Sequence, residues 1–254
     1  IMAGSINNDI LSITLALAAI LATVRWYQKP TAKRIVPIAL AVGGSMMAKL
    51  SGGLVAPAIA FVFLIKLIQE KGQFKRYVGQ FCLFAVICVP LGLWWSVSNL
   101  IRFGMPLNYV PMLSLRDEQY IGGYTLMQRL FDWDPGQLAS PFTAWGKYSL
   151  SNYYEHNVFL NLIKTSTFGE FTLSLTAEGI TPVAWVLLAA NAVMIAFSLV
   201  AMVLVFFRRK SIPWQMKTFL GLVYAVVLGS YLKFCFDFPH TCTMNFRYAV
   251  PTLF

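Results

Sequence analysis

The chain has 254 residues, of which 58% are hydrophobic and 12% charged, whereas a water-soluble domain is roughly 45–50% apolar and about 25% charged. With a mean hydropathy of +0.65, it cannot be a soluble enzyme, a coiled coil, a disordered tail or a small disulfide scaffold, and reads as a polytopic membrane protein. The net charge of +10 calls for no nucleic acid, because the basic residues fall in the links between apolar stretches.

Six apolar stretches follow in chain order: Ile10–Tyr27, Ile35–Ala48, Gly53–Ile68, Tyr77–Trp95, Pro182–Phe207 and Pro213–Phe234, with a seventh beginning near Tyr248. Several are shorter than the ~20 residues that cross a hydrocarbon core of about 30 Å. The pattern predicts an all-α membrane protein, a multi-span helical bundle with a partly helical extracytoplasmic loop region. It divides into 1–98 with four helices, 99–181 as the loop region, and 182–254 with two helices and the start of a third. The chain reads as an internal portion of a larger membrane protein, with at least one helix expected before Ile1.

The links after the first, third and fifth stretches hold twelve basic residues, including Arg25, Lys29, Lys33, Arg34, Lys66, Lys71, Lys75 and Arg76, and one acid, Glu70. The opposite side holds eight basic and nine acidic residues. The positive-inside rule makes the first side cytoplasmic, so Ile1–Asp9, Lys49–Gly52, Asn99–Thr181 and Lys233–Arg247 are expected to face outward. Trp26, Tyr27, Trp94 and Trp95 are placed as interfacial anchors.

Groups able to carry chemistry concentrate on that outer side. Asn7, Asn8 and Asp9 head the first span, where they can cap the helix or present a carboxylate that holds a divalent cation or acts on a headgroup. Ile35–Ala48 reaches only about 21 Å, so Lys49 is expected below the outer boundary, where it snorkels or meets a lipid phosphate. The stretch Asn99–Thr181 is too long for a plain connector and mixes Arg102, Tyr124, Asp132, Trp133, Asp134, Glu155 and His156. Within it, the apolar run from Val158 to Ile163 suits an interfacial helix. The segment Lys233–Tyr248 is the densest polar cluster: Asp237, His240 and Cys242 can be read as metal ligands, although their spacing matches no standard zinc pattern. Cys235 and Cys242 can be read as a disulfide, and the guanidinium of Arg247 suits a phosphate. No phosphate-binding glycine loop, G-x-S-x-G elbow or H-E-x-x-H occurs.

Three stretches taken together, Ser5-Ile6-Asn7-Asn8-Asp9-Ile10-Leu11, Met47-Ala48-Lys49-Leu50-Ser51-Gly52 and Asn245-Phe246-Arg247-Tyr248-Ala249-Val250-Pro251, resemble multi-span glycosyltransferases that use polyprenyl-phosphate sugars. The chain looks most like bacterial relatives of the dolichyl-phosphate-mannose protein mannosyltransferases, a group that includes the lipid A aminoarabinose transferases. The resemblance implies a C-type glycosyltransferase fold in a bacterial plasma membrane and an inverting sugar transfer to a protein, lipid or glycan at the outer face. It makes Asp9 the acidic residue near donor phosphate and metal, with Lys49, Arg247 and Tyr248 on the donor phosphate. Asn7, Asn8 and Arg102 support the site, and Asp9 and His240 are the candidate metal ligands. The family's principal acidic motif has no counterpart in this sequence. The alternative is a transporter or flippase for a lipid or small anion, but transporters place charge at mid-span or in paired broken helices, and here polarity gathers at one face.

Overall fold

A computed structural model describes residues 8–107, 114–115, 119–138, 140–143, 155–169, 180–208 and 212–249. Among them are eight α-helices: α1 Asn8–Gln28, α2 Ala32–Ala48, α3 Ala56–Gln69, α4 Phe74–Phe103, α5 Leu126–Phe131, α6 Val158–Phe168, α7 Ile180–Arg208 and α8 Trp214–Asp237. No strand occurs among the described residues, where one isolated bridge pairs Tyr120 with His240. Five helical stretches, Asn8–Gln28, Leu50–Gln69, Lys71–Phe103, Ile180–Arg208 and Trp214–Asp237, are long and apolar enough to cross a bilayer. The protein is therefore a helical, multi-pass membrane protein. The seventh stretch begins as a 3-10 turn, Phe246–Tyr248, and continues outside the described residues.

The described residues form two compact units, one within 3–111 and 211–230, the other within 112–210 and 231–250, so that α8 contributes to both. In the first unit the sequence of α1 shows how a membrane helix chooses its inner face. Its buried residues are Asp9, Ser12, Ala16, Ala19, Thr23 and Trp26, spaced alternately three and four apart. Leu11 and Leu21 are exposed, whereas the stripe that is buried deepest is mostly small and polar, because in a bilayer close packing and hydrogen bonds hold helices together.

Of the six apolar stretches, the second is the one that falls short of a span. At 17 residues, α2 reaches about 25 Å. It is instead enclosed by its neighbours, with Ile35, Ile38, Ala39 and Val42 fully buried, so its length need not match the bilayer. A Cβ on Gly43 would lie 3.1 Å from the Cys88 carbonyl oxygen and the Leu91 side chain, and one on Gly92 would lie 3.0 Å from Met46. These glycines let α2 and α4 approach closely.

One end of this unit gathers the basic links. Arg34 donates to the Arg25 carbonyl and Arg76 to the Pro30 carbonyl, both at 2.6 Å, and Tyr27 bonds Gln69 at 3.3 Å. Lys66 pairs with Glu70 at 2.8 Å and stands 4.9 Å from the Tyr27 ring centre. Trp26 departs from the expected interfacial role: it is fully buried, set edge-on to Phe63 at 4.8 Å, with its indole N–H on Gln80 Oε1 at 2.8 Å. Trp94 and Trp95 are exposed.

In the second unit, α6, which carries the apolar run from Val158 to Ile163, is enclosed by protein along one side. Val158, Leu160, Asn161, Lys164 and Thr165 are buried, and the helix packs between α5 and α7. Asn157 caps it, accepting from the Leu160 N–H at 2.9 Å. At its other end Ser166 Oγ and Thr167 Oγ1 accept from Asn191 of α7 at 2.7 and 2.8 Å. The buried residues of α7 are Ala184 and Leu188, one turn apart in its first third, and residues 196–208 are all exposed.

Candidate functional site

At the end of the first unit opposite the basic links, α1 begins and α2 stops. Asp9 stands in the first turn of α1, where a carboxylate complements the helix dipole. Helix α2 ends at Lys49, whose extended backbone (φ −156°, ψ 125°) leads into the 3-10 turn Leu50–Val55. The chain folds back there, and the Lys49 ammonium pairs with Asp9 Oδ1. Asn8 Nδ2 donates to the Ala48 carbonyl at 2.8 Å. One turn deeper, Ser12 and Ser45 exchange hydrogen bonds, with Ser45 Oγ donating to the Ser12 carbonyl at 2.7 Å and Ser12 Oγ to the Ser45 carbonyl at 3.1 Å. Gly52 closes over them, because a Cβ there would lie 2.1 Å from Ser45 Oγ and 2.7 Å from Ser12 Oγ. The Asp9 side chain is 5% exposed and that of Lys49 28%. The lysine can thus be reached from outside, with the carboxylate behind it.

Asp9 and Lys49 are 40 positions apart in sequence, and the fold brings them together. Asn8 joins them through its bond to Ala48, while Asn7 lies outside the described residues. Arg102 is exposed in the last turn of α4 and makes no hydrogen bond or ion pair among the described residues.

In the second unit the segment after α8 is tied into place. Thr241 N–H donates to the Gln119 carbonyl and Ile121 N–H to the Pro239 carbonyl, both at 2.9 Å. Tyr231 donates to the Met244 carbonyl at 2.8 Å, and Phe246 N–H to Thr165 Oγ1 at 2.9 Å. Asn245 caps the 3-10 turn by accepting from the Arg247 N–H at 2.9 Å. The guanidinium of Arg247 donates to the Tyr248 hydroxyl at 2.9 Å and stands 4.9 Å from its ring centre, and Tyr248 packs on Phe234. A guanidinium and a phenol fixed side by side can both donate to one phosphate.

Asp9 and His240, the candidate metal ligands, each have other partners in the structure. Asp9 is engaged by an ammonium, and His240 is buried with Nε2 3.4 Å from the Ser114 carbonyl oxygen and its ring edge-on to Tyr120. Asp237 pairs with Lys233 at 2.6 Å. No group of three or more His, Cys, Asp or Glu side chains assembles among the described residues. The expected disulfide is also not made: the Cys235 thiol donates to the Thr243 carbonyl at 3.4 Å and is not joined to Cys242.

A buried polar network in the second unit was not legible in the sequence as a unit. Lys164 is fully buried, pairs with Glu155 and donates to the Gln137 carbonyl at 2.5 Å. Burial holds the Lys164 ammonium below its ordinary pKa, and Glu155 pulls it back up. Gln137 Oε1 accepts from the backbone N–H groups of His156 and Asn157 at 3.1 and 2.9 Å. His156 Nε2 meets Asp132 Oδ2 at 2.9 Å, and its ring stacks on Tyr124 at 3.9 Å. The one available signal was the run Glu155-His156-Asn157 set directly before a helical pattern that carries Asn161 and Lys164 on one face.

Comparison with known protein families, curated proteins and solved structures finds no match for this chain.

Proposed function

We propose that the protein is a glycosyltransferase that moves a sugar from a polyprenyl-phosphate donor to an acceptor hydroxyl at the membrane face bearing Asp9 and Lys49. The positive-inside rule turns this face outward, and the resemblance assigns the reaction to a bacterial plasma membrane. The pairing of part-exposed Lys49 with buried Asp9 carries the reading. It sets a part-exposed cation at the end of an apolar bundle, an arrangement that suits a lipid phosphate.

The acceptor oxygen attacks the anomeric carbon, the bond from that carbon to the phosphate oxygen breaks, and its electron pair stays on the phosphate. Lys49 neutralises that developing charge, an interaction strengthened where water is scarce. The acceptor proton passes to a carboxylate, for which Asp9 is the candidate. Arg247 with Tyr248 is the second phosphate-binding candidate. No step is routed through a metal. The acceptor is a protein, a lipid or a glycan.

The test is transfer of radiolabelled sugar from polyprenyl-phosphate donors by the protein in proteoliposomes, for wild type and for Asp9→Asn, Lys49→Ala and Arg247→Ala. Losing a charge-stabilising group costs on the order of 10²–10³ in rate, so each variant should fall that far with its assembly in the membrane unchanged. Absence of transfer from every donor, with labelled lipid or solute crossing the bilayer, would replace this reading with a transporter.

A further inference from the structure

Helix α5 is built inside out. Its basic residue, Arg129, is 3% exposed, while Leu126, Met127 and Phe131 are 54, 66 and 64% exposed and Trp133, just beyond, 53%. A helix on a water-facing surface turns its apolar stripe inward and its charge outward. Here the reverse orientation is fixed at both ends. Thr125 and Gln128 close a capping box at the start. The Arg129 guanidinium donates to the Cys235 carbonyl at 2.9 Å and stands 4.9 Å from the Phe236 ring centre, where the last-turn carbonyls of α8 carry partial negative charge.

The covering medium follows from where this layer sits. In the sequence α5 lies between two stretches of spanning length, Lys71–Phe103 and Ile180–Arg208. Helix α7 has 29 residues, about 43 Å, and exceeds a hydrocarbon core of about 30 Å by roughly nine residues. Its first half, with Ala184, Leu188 and Asn191, is the part that meets α6, and α6 in turn carries α5. The layer therefore stands where α7 emerges from hydrocarbon. Trp133 is the residue type that favours this boundary.

We propose that the outer face of α5, formed by Leu126, Met127 and Phe131 and extended by Trp133, is seated in the headgroup–acyl boundary of the bilayer and held there by apolar insertion. Charge is not the attraction: Arg129 is buried, and among the described residues of 119–138 the charged groups beside the face are the carboxylates Asp132 and Asp134. Binding is thus indifferent to anionic lipid, unlike that of a basic amphipathic helix.

The full chain is placed in nanodiscs of phosphatidylcholine, with or without one-third phosphatidylglycerol, that contain a phospholipid with a photoactivatable group near its glycerol, and labelled peptides are mapped by mass spectrometry. Residues 126–133 should be labelled in both compositions within about twofold, and Leu126→Gln combined with Met127→Gln should lower that label at least fivefold while label on α7 persists. Recovery of 126–133 unlabelled beside a labelled α7 would overturn the proposal. So would protection of 126–133 accompanied by a cross-link to a second copy, or labelling that rises several-fold with phosphatidylglycerol.

Discussion

Replacing Gly52 by alanine tests the construction of the Asp9–Lys49 mouth. The positive-φ glycines among the described residues are Gly104 and Gly169, so Gly52 is required for space rather than for backbone conformation. A Cβ at Gly52 would lie 2.1 Å from Ser45 Oγ and 2.7 Å from the Ser45 carbonyl carbon. The hydroxyl can rotate away, giving up its 2.7 Å bond to Ser12, but the carbonyl carbon cannot. Carbon–carbon contact begins near 3.5 Å, so the turn must open by about 0.8 Å. Overpacking of this kind costs about 1–3 kcal/mol. The displaced segment carries Lys49, since the Gly52 N–H donates to the Lys49 carbonyl at 2.8 Å and the Lys49 N–H to the Ser45 carbonyl at 2.9 Å. A shift near 1 Å can cost on the order of 10² in rate. Thermal unfolding in nanodiscs should therefore show a loss of about 1–3 kcal/mol, together with a tenfold to hundredfold fall in sugar transfer. Gly79→Ala and Gly229→Ala are the controls: a Cβ at either meets nothing within 4 Å, and both should be neutral or slightly stabilising. A Gly52→Ala protein as stable as these controls would refute the close approach of the turn to α1 and α2.

Lys164→Met leaves Glu155 buried without its ammonium and should cost about 3–5 kcal/mol, most of it recovered in the double variant with Glu155→Leu; chemical unfolding of both proteins checks this. Gln80→Leu strands the buried Trp26 N–H and should cost about 1 kcal/mol, read from the same transition with indole fluorescence. Hydrogen bonds from Lys66 first, and then from Tyr77, hold the Glu70 carboxyl below its ordinary pKa of 4.5. The folded state therefore binds fewer protons than the unfolded one just below that pH. Its stabilising contribution is complete above 4.5 and is lost as pH falls through the folded value, so wild type and Glu70→Gln should converge in stability as the pH is lowered. A difference that stays constant from pH 7 to 3 would exclude the linkage.

The class of fold was legible from composition and hydropathy alone. Fifty-eight per cent hydrophobic residues and six apolar stretches leave a multi-pass helical bundle as the solution in which every backbone polar group is satisfied within lipid. It also marked Asp9 and Lys49, because a charge that ends an apolar stretch is costly enough to be conspicuous. What it could not reveal was which faces turn inward. In a soluble helix apolar spacing announces the buried side, but in α1 most of the buried stripe is small or polar, and exposed Leu11 and Leu21 look in sequence like leucines facing a core. The partnership of Ser12 with Ser45 follows from that inversion, whereas Trp26 is buried by packing on Phe63 and by its bond to Gln80. The loop region was harder still: Lys164 lies nine residues from Glu155 and 27 from Gln137, and nothing local announces that an ion pair will be buried there. The tertiary structure decided which apolar run, Val158–Ile163 or Leu126–Phe131, became core. Both have suitable composition, and the first is buried because the Lys164 network and the Asn191 bonds fasten α6 to its neighbours, whereas Arg129 pins α5 with its apolar side facing out.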